Sequence, residues 1–67
     1  MITVTINGES RQFERALHFA ELVDYLGLAG KRIAVERNGE IVPRSQFAAR
    51  SLAEGDKLEI VVAVGGG

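Results

Sequence analysis

His18 is the only imidazole in the chain, and Glu21 follows it at i+3, a spacing that puts both side chains on one helical face. Two ligands do not make a metal site, and nothing nearby in sequence completes one. His18 is therefore expected to be an exposed or capping residue, with no metal bound. Ser10, Ser45 and Ser51 share that single possible base, and no glycine spacing leads into a lysine as a phosphate loop requires. The absence of cysteine removes disulfides, thiolate zinc sites and thiol nucleophiles together. The residues assemble no active site of their own, so no catalytic residue and no intrinsic cofactor is expected.

Gly65, Gly66 and Gly67 offer a different chemistry. Glycines directly after a strand lose the most entropy on ordering, so packing gains nothing from them. They read either as an inert end or as a flexible lead that carries a terminal carboxylate. Three extended residues reach roughly 10 Å, and without Cβ atoms they can thread a narrow channel into another protein.

The elements that must position such a lead are few, because 67 residues form one domain with little room for an internal cavity. A hydrophobic fraction of 46% is that of a globular chain. Eight basic and nine acidic residues give a net charge of −1, and neither sign clusters into a run of three. That balance argues against nucleic acid, which demands a basic patch, and against an anionic membrane surface. The longest apolar stretch, Ile60 to Val64, is too short to cross a bilayer. A small domain without cysteine fits a reducing cytoplasm.

Along the chain, Ile2, Val4 and Ile6 alternate with threonines over a first strand, residues 1–6. Asn7-Gly8 marks a tight hairpin, and Glu9 to Phe13 returns with the poor alternation of an edge strand. Phe19, Leu22, Val23 and Leu26 form one helical stripe that extends to Leu28, with Gly27 as the stop and His18 as a weak N-cap. Ile33 to Arg37 is a third strand, Asn38-Gly39 a second hairpin turn, and Glu40 to Val42 its return, ended by Pro43. Ser45 is placed to cap a short helical turn through Ala48. Glu54-Gly55-Asp56 turns the chain into the longest strand, Lys57 to Val64, whose aliphatic run suits the interior of a sheet. The order ββαββ-β predicts an α+β domain over residues 1–64, a mixed sheet of four to five strands with one main helix on one face.

Several segments together resemble the sulfur carrier proteins of thiamine biosynthesis, the ThiS family. These are Asn38-Gly39-Glu40-Ile41-Val42-Pro43-Arg44, the run from Leu52 through Gly55-Asp56 to Val61, and the end Ala63-Val64-Gly65-Gly66-Gly67. The opening strand with Asn7-Gly8 and the helix end Leu26-Gly27-Leu28 agree as well. The chain departs from the family pattern at His18, where threonine is frequent, and at Glu14-Arg15-Ala16-Leu17, which lacks a glycine turn. The resemblance implies a ubiquitin-like β-grasp fold and a carrier rather than an enzyme. It implies that an E1-like adenylyltransferase, using ATP and Mg²⁺, adenylates the Gly67 carboxylate. Sulfur from a desulfurase system then replaces AMP, and the thiocarboxylate serves thiazole synthase. Two alternatives stand beside this reading: the small subunit of molybdopterin synthase, whose chains run longer and lack Val42-Pro43-Arg44, and a β-grasp interaction module with an inert tail.

In a β-grasp sheet the last strand lies between the first and third, so Thr3, Thr5, Ala34 and Glu36 are expected to border it. With Leu58, Ile60 and Val62 turned to the core, Glu59, Val61 and Ala63 face outward and are the candidate partner-docking residues.

Overall fold

Alternation decides the first element. In the computed structural model, which describes residues 1–63, strand β1 spans Ile2–Ile6 with Val4 and Ile6 buried. The turn that follows is left-handed at both positions, Asn7 at φ 50° and Gly8 at φ 86°, the conformation an Asn-Gly hairpin requires. Strand β2, Glu9–Phe13, returns in register from Ile6 opposite Glu9 to Ile2 opposite Phe13 and forms one edge of the sheet.

Helix α1, Phe19–Tyr25, is shorter than the apolar stripe predicts. Leu26 is its C-cap, and Gly27 adopts φ 74°. The Leu28 amide then donates to the Val23 carbonyl at 2.9 Å and the Gly27 amide to Asp24 at 3.0 Å. That is a Schellman closure, and it turns the helix off while Leu26 and Leu28 still pack against the core.

Strand β3, Ile33–Arg37, and the two-residue β4, Glu40–Ile41, form the second hairpin around Asn38-Gly39. Val42 lies just beyond β4, yet its amide still donates to Val35 at 2.8 Å. A 3₁₀ turn covers Arg44–Gln46. Ser45 was expected to cap this turn, but it sits inside it. The N-cap is Pro43, because the chain is already extended there and the Gln46 amide closes onto the Pro43 carbonyl at 2.9 Å. Strand β5, Lys57–Val62, completes the sheet. The expected strand ran on to Val64, which lies outside the described residues.

The sheet order is β2-β1-β5-β3-β4, with β5 parallel to β1 and antiparallel to β3. The longest strand is thus central, between the first and third, as expected. Phe19, Leu22 and Val23 of α1 pack with Val4, Val35, Leu58 and Ile60 of the sheet, and Phe47 and Leu52 fill the end of the core. One face of the sheet is covered by the helix. The other is open.

Candidate functional site

The open face is built around β5. Burial alternates along it: Leu58 and Ile60 are buried, whereas Lys57, Glu59 and Val61 are exposed. Val61 is 62% exposed and points away from the helix, as parity predicts. Val62, expected to continue the buried set, is 37% exposed at the last pair of the β3–β5 ladder, opposite Ile33. Ala63 is exposed, and its amide donates to the Arg32 carbonyl at 2.9 Å.

Across the β3–β5 ladder, Ala34 stands opposite Val61 and Glu36 opposite Glu59. Ile41, 59% exposed, lies on the far side of Glu36. Thr5 borders Lys57 on the β1 side. Thr3 borders the preceding turn rather than the strand, its carbonyl accepting from Gly55 at 2.8 Å. Val61, Ala63, Ala34 and Ile41 make an aliphatic surface that no element of the described chain covers.

Two asparagines hold β5 in place, a role the sequence pattern did not reveal. The Asn7 side chain brackets Ile60, accepting from its amide at 2.8 Å and donating to its carbonyl at 3.0 Å. It substitutes for a ladder residue where β1 has already turned away. On the other side Asn38 accepts from the Lys57 amide through its side chain at 2.9 Å and donates its own amide to the Lys57 carbonyl at 2.8 Å. Beside it Asp56, 5% exposed, accepts from Arg37 at 3.0 Å and from the Ala53 amide at 2.8 Å. The Arg37 guanidinium also lies over the Phe19 ring, 5.6 Å from its centroid. The root of β5 is thereby fixed in angle and register.

The remaining chemistry-bearing residues stay apart. His18 occupies the helix N-cap, where its backbone amide donates to the Glu21 carboxylate at 2.9 Å and its Nδ1 lies 3.5 Å from the same oxygen. Arg15 takes the other carboxylate oxygen at 2.7 Å, and those hydrogen bonds hold the Glu21 carboxyl down to about 2. Among the described residues no group of three potential ligands could hold a metal ion. Ser51 meets His18 through a backbone bridge, Ser10 of β2 pairs with Thr5 of β1, and Ser45 lies in the 3₁₀ turn. A groove of about 290 Å³ opens between Val23, Leu28, Ile33 and Phe47. Arg44 at its rim is already engaged, donating to the Lys31 carbonyl at 2.7 Å. No helix among the described residues is long and apolar enough to cross a membrane. Gly65, Gly66 and Gly67, the expected reactive lead, lie outside the described residues.

A family model described as the ThiS family matches residues 4–67. A thiazole synthase of Paramagnetospirillum magneticum is 47% identical over 64 residues, covering 96% of this chain and 20% of that protein. The chain thus spans about a fifth of the length of that relative. An uncharacterized protein, ycf40, of Pyropia yezoensis is 36% identical over 66 residues, covering 98% of this chain and 93% of that one. Among solved structures, the crystal structure of a thiamine biosynthesis protein (ThiS) from Geobacter metallireducens superposes with a TM-score of 0.83. It is 32% identical, covering 98% of this chain and 100% of the other. The five-stranded sheet with its single helix is therefore the ubiquitin-like β-grasp.

Proposed function

The chain belongs to the ThiS family, and from that premise we propose that it carries sulfur for thiazole formation in thiamine biosynthesis, on the carboxylate of Gly67. The observation that supports this reading most is the continuity of the family match through Gly67 together with the outward face of β5, open at Val61 and Ala63 directly upstream.

A carboxylate resists nucleophiles until one oxygen becomes a good leaving group. In the proposed sequence the Gly67 carboxylate attacks the α-phosphorus of ATP, and pyrophosphate leaves. A hydrosulfide ion, set free from the desulfurase's persulfide by a thiol reductant, then attacks the carbonyl carbon, its proton passes to solvent, and AMP departs with the bonding electron pair. The product is a thiocarboxylate whose sulfur passes to thiazole synthase. The E1-like adenylyltransferase supplies the nucleotide site and Mg²⁺, so this chain acts as a co-substrate in the cytosol and needs no base, metal or thiol of its own. Its residues provide aim: the docked face of β5 presents Val61, Ala63 and Glu59, and Gly65 and Gly66 pass through a channel too narrow for a side chain.

The test is intact-mass spectrometry after incubation with ATP, a sulfur source and the E1-like enzyme. The mass gain of one sulfur replacing one oxygen is expected for the native chain. A variant lacking Gly67, or extended by one residue after it, should show none while keeping its fold. A gain on the extended chain, or none on the native one, overturns the proposal.

A further inference from the structure

The open face carries an order of charges that sulfur chemistry alone does not use. Ala63 lies beside Arg32, Val61 opposite Ala34, and Glu59 opposite Glu36. Read along β3, the face runs from a cation through an aliphatic centre to a pair of carboxylates, over about 13 Å at roughly 3.3 Å per residue. Like charges directly opposite on a ladder destabilise a sheet. Neither Glu36 nor Glu59 belongs to any ion pair among the described residues, Lys57 on the same face included, and Arg37 is turned to the other face toward Asp56. The fold is no more stable for holding them there.

We infer that the Glu36–Glu59 pair, with Arg32, sets the direction and selectivity of docking on this face. The partner is a protein surface that presents a guanidinium to the two carboxylates, an aliphatic side chain to Val61 and Ala34, and a carboxylate to Arg32. Guanidinium is favoured over ammonium because its planar fork serves two acceptors at once. Docking in the reverse direction sets like charge on like at both ends, which costs affinity and suppresses the wrong orientation. Only the correct direction aims the chain beyond Ala63 into the partner's active site. A second copy reversed over the same face would also match the charges. A standard interface, however, needs about 800 Å² from each partner, and the described surface totals 4449 Å². Four small or medium aliphatic side chains do not supply that area, which disfavours a symmetric dimer on this face.

This inference rests on the carrier reading, and one experiment separates the two. Glu36→Gln, Glu59→Gln and the double variant are compared with the native chain for thermal midpoint and for KM with the E1-like adenylating enzyme. Relief of the opposed charges should raise the midpoint of the free protein by roughly 2–5 °C. The same change should raise KM about tenfold in the double variant, the scale of a lost interfacial charge contact, and flatten its dependence on salt. Arg32→Glu should also raise KM. A higher midpoint with unchanged KM overturns the inference while the carrier reading stands, and so does a native dimer that Glu59→Gln dissociates. A native chain that the enzyme never charges overturns the carrier reading and this inference with it.

Discussion

Glu21 caps its helix backward. One carboxylate oxygen accepts the His18 backbone amide at 2.9 Å, the other accepts from Arg15 at 2.7 Å, and the carboxyl is held at about 2 against an ordinary 4.5. The Arg15 hydrogen bonds contribute most, the His18 amide next, and the same pairing raises the guanidinium of Arg15. A carboxyl lowered in the folded state stabilises the fold above its unfolded value, so this contribution is complete above about pH 4.5. It is lost as the pH falls from there through about 2. An NMR titration should place the Glu21 midpoint about 2, and Arg15→Gln should move it back up toward the usual carboxylate range. Glu21→Gln should flatten the loss of stability in that acid window. A native midpoint in the ordinary range would show that the pairing does not persist in solution. His18 reads as a weak cap because its side chain lacks the short oxygen acceptor of Ser, Thr or Asp. The cap was legible at Glu21, three residues on, where a glutamate reaches back to the N-cap amide.

Strand β5 shows how far alternation reaches. Its two faces follow from residue type alone: Leu58 and Ile60 are buried, and Glu59 and Val61 are open. Val61→Glu should therefore shift stability by no more than about 0.5 kcal/mol, as an exposed position does. The same variant should weaken binding to the adenylating enzyme, whereas Ile60→Ala, one residue away and 7% exposed, should cost about 2–4 kcal/mol through the cavity it leaves. Urea unfolding of the two variants checks the pair, and a large loss in Val61→Glu would mean that the outward face packs on something. The strands, both Asn-Gly turns and the edge position of β2 were equally legible, since each depends on neighbours within a few residues. The exposure of Val62 was not, because strand parity fixes the face a residue takes but not how far the core extends beneath the last pair of a ladder. The side-chain clamps of Asn7 and Asn38 were hidden for a related reason. Their partners lie 53 and 19 residues away in sequence, and a turn signature accounts for an asparagine before any such partner is sought.

The described residues as a whole form two hairpins that no ladder joins directly, with α1 across one face and β5 between them. Its parallel ladder with β1 covers two residue pairs, Thr5 with Lys57 and Ile6 with Leu58. The union therefore depends on what stands at the start of β5, and that is Asp56. Its carbonyl accepts from the Thr5 amide at 2.9 Å, on the first hairpin. Its carboxylate accepts from Arg37 at 3.0 Å and Asn38 at 3.3 Å, on the second, and from the Ala53 amide at 2.8 Å. Asp56→Ala removes the carboxylate and leaves the part-buried guanidinium over the Phe19 ring without its counter-charge, a change that costs about 3–5 kcal/mol. A domain of this length holds only about 3–10 kcal/mol in total, so the variant should melt at least about 12 °C lower or be largely unfolded at rest. Asp56→Asn keeps an acceptor for the Ala53 amide and should lose less. Adding Arg37→Met to Asp56→Asn should then restore part of the loss, because the orphaned charge is gone. Urea midpoints at constant m-value measure all three. If Arg37→Met lowers the stability of Asp56→Asn further, the guanidinium contributes through its packing on Phe19 rather than through the ion pair, and the link between the hairpins is carried by the backbone bonds of β5 and the Asn7 and Asn38 side chains.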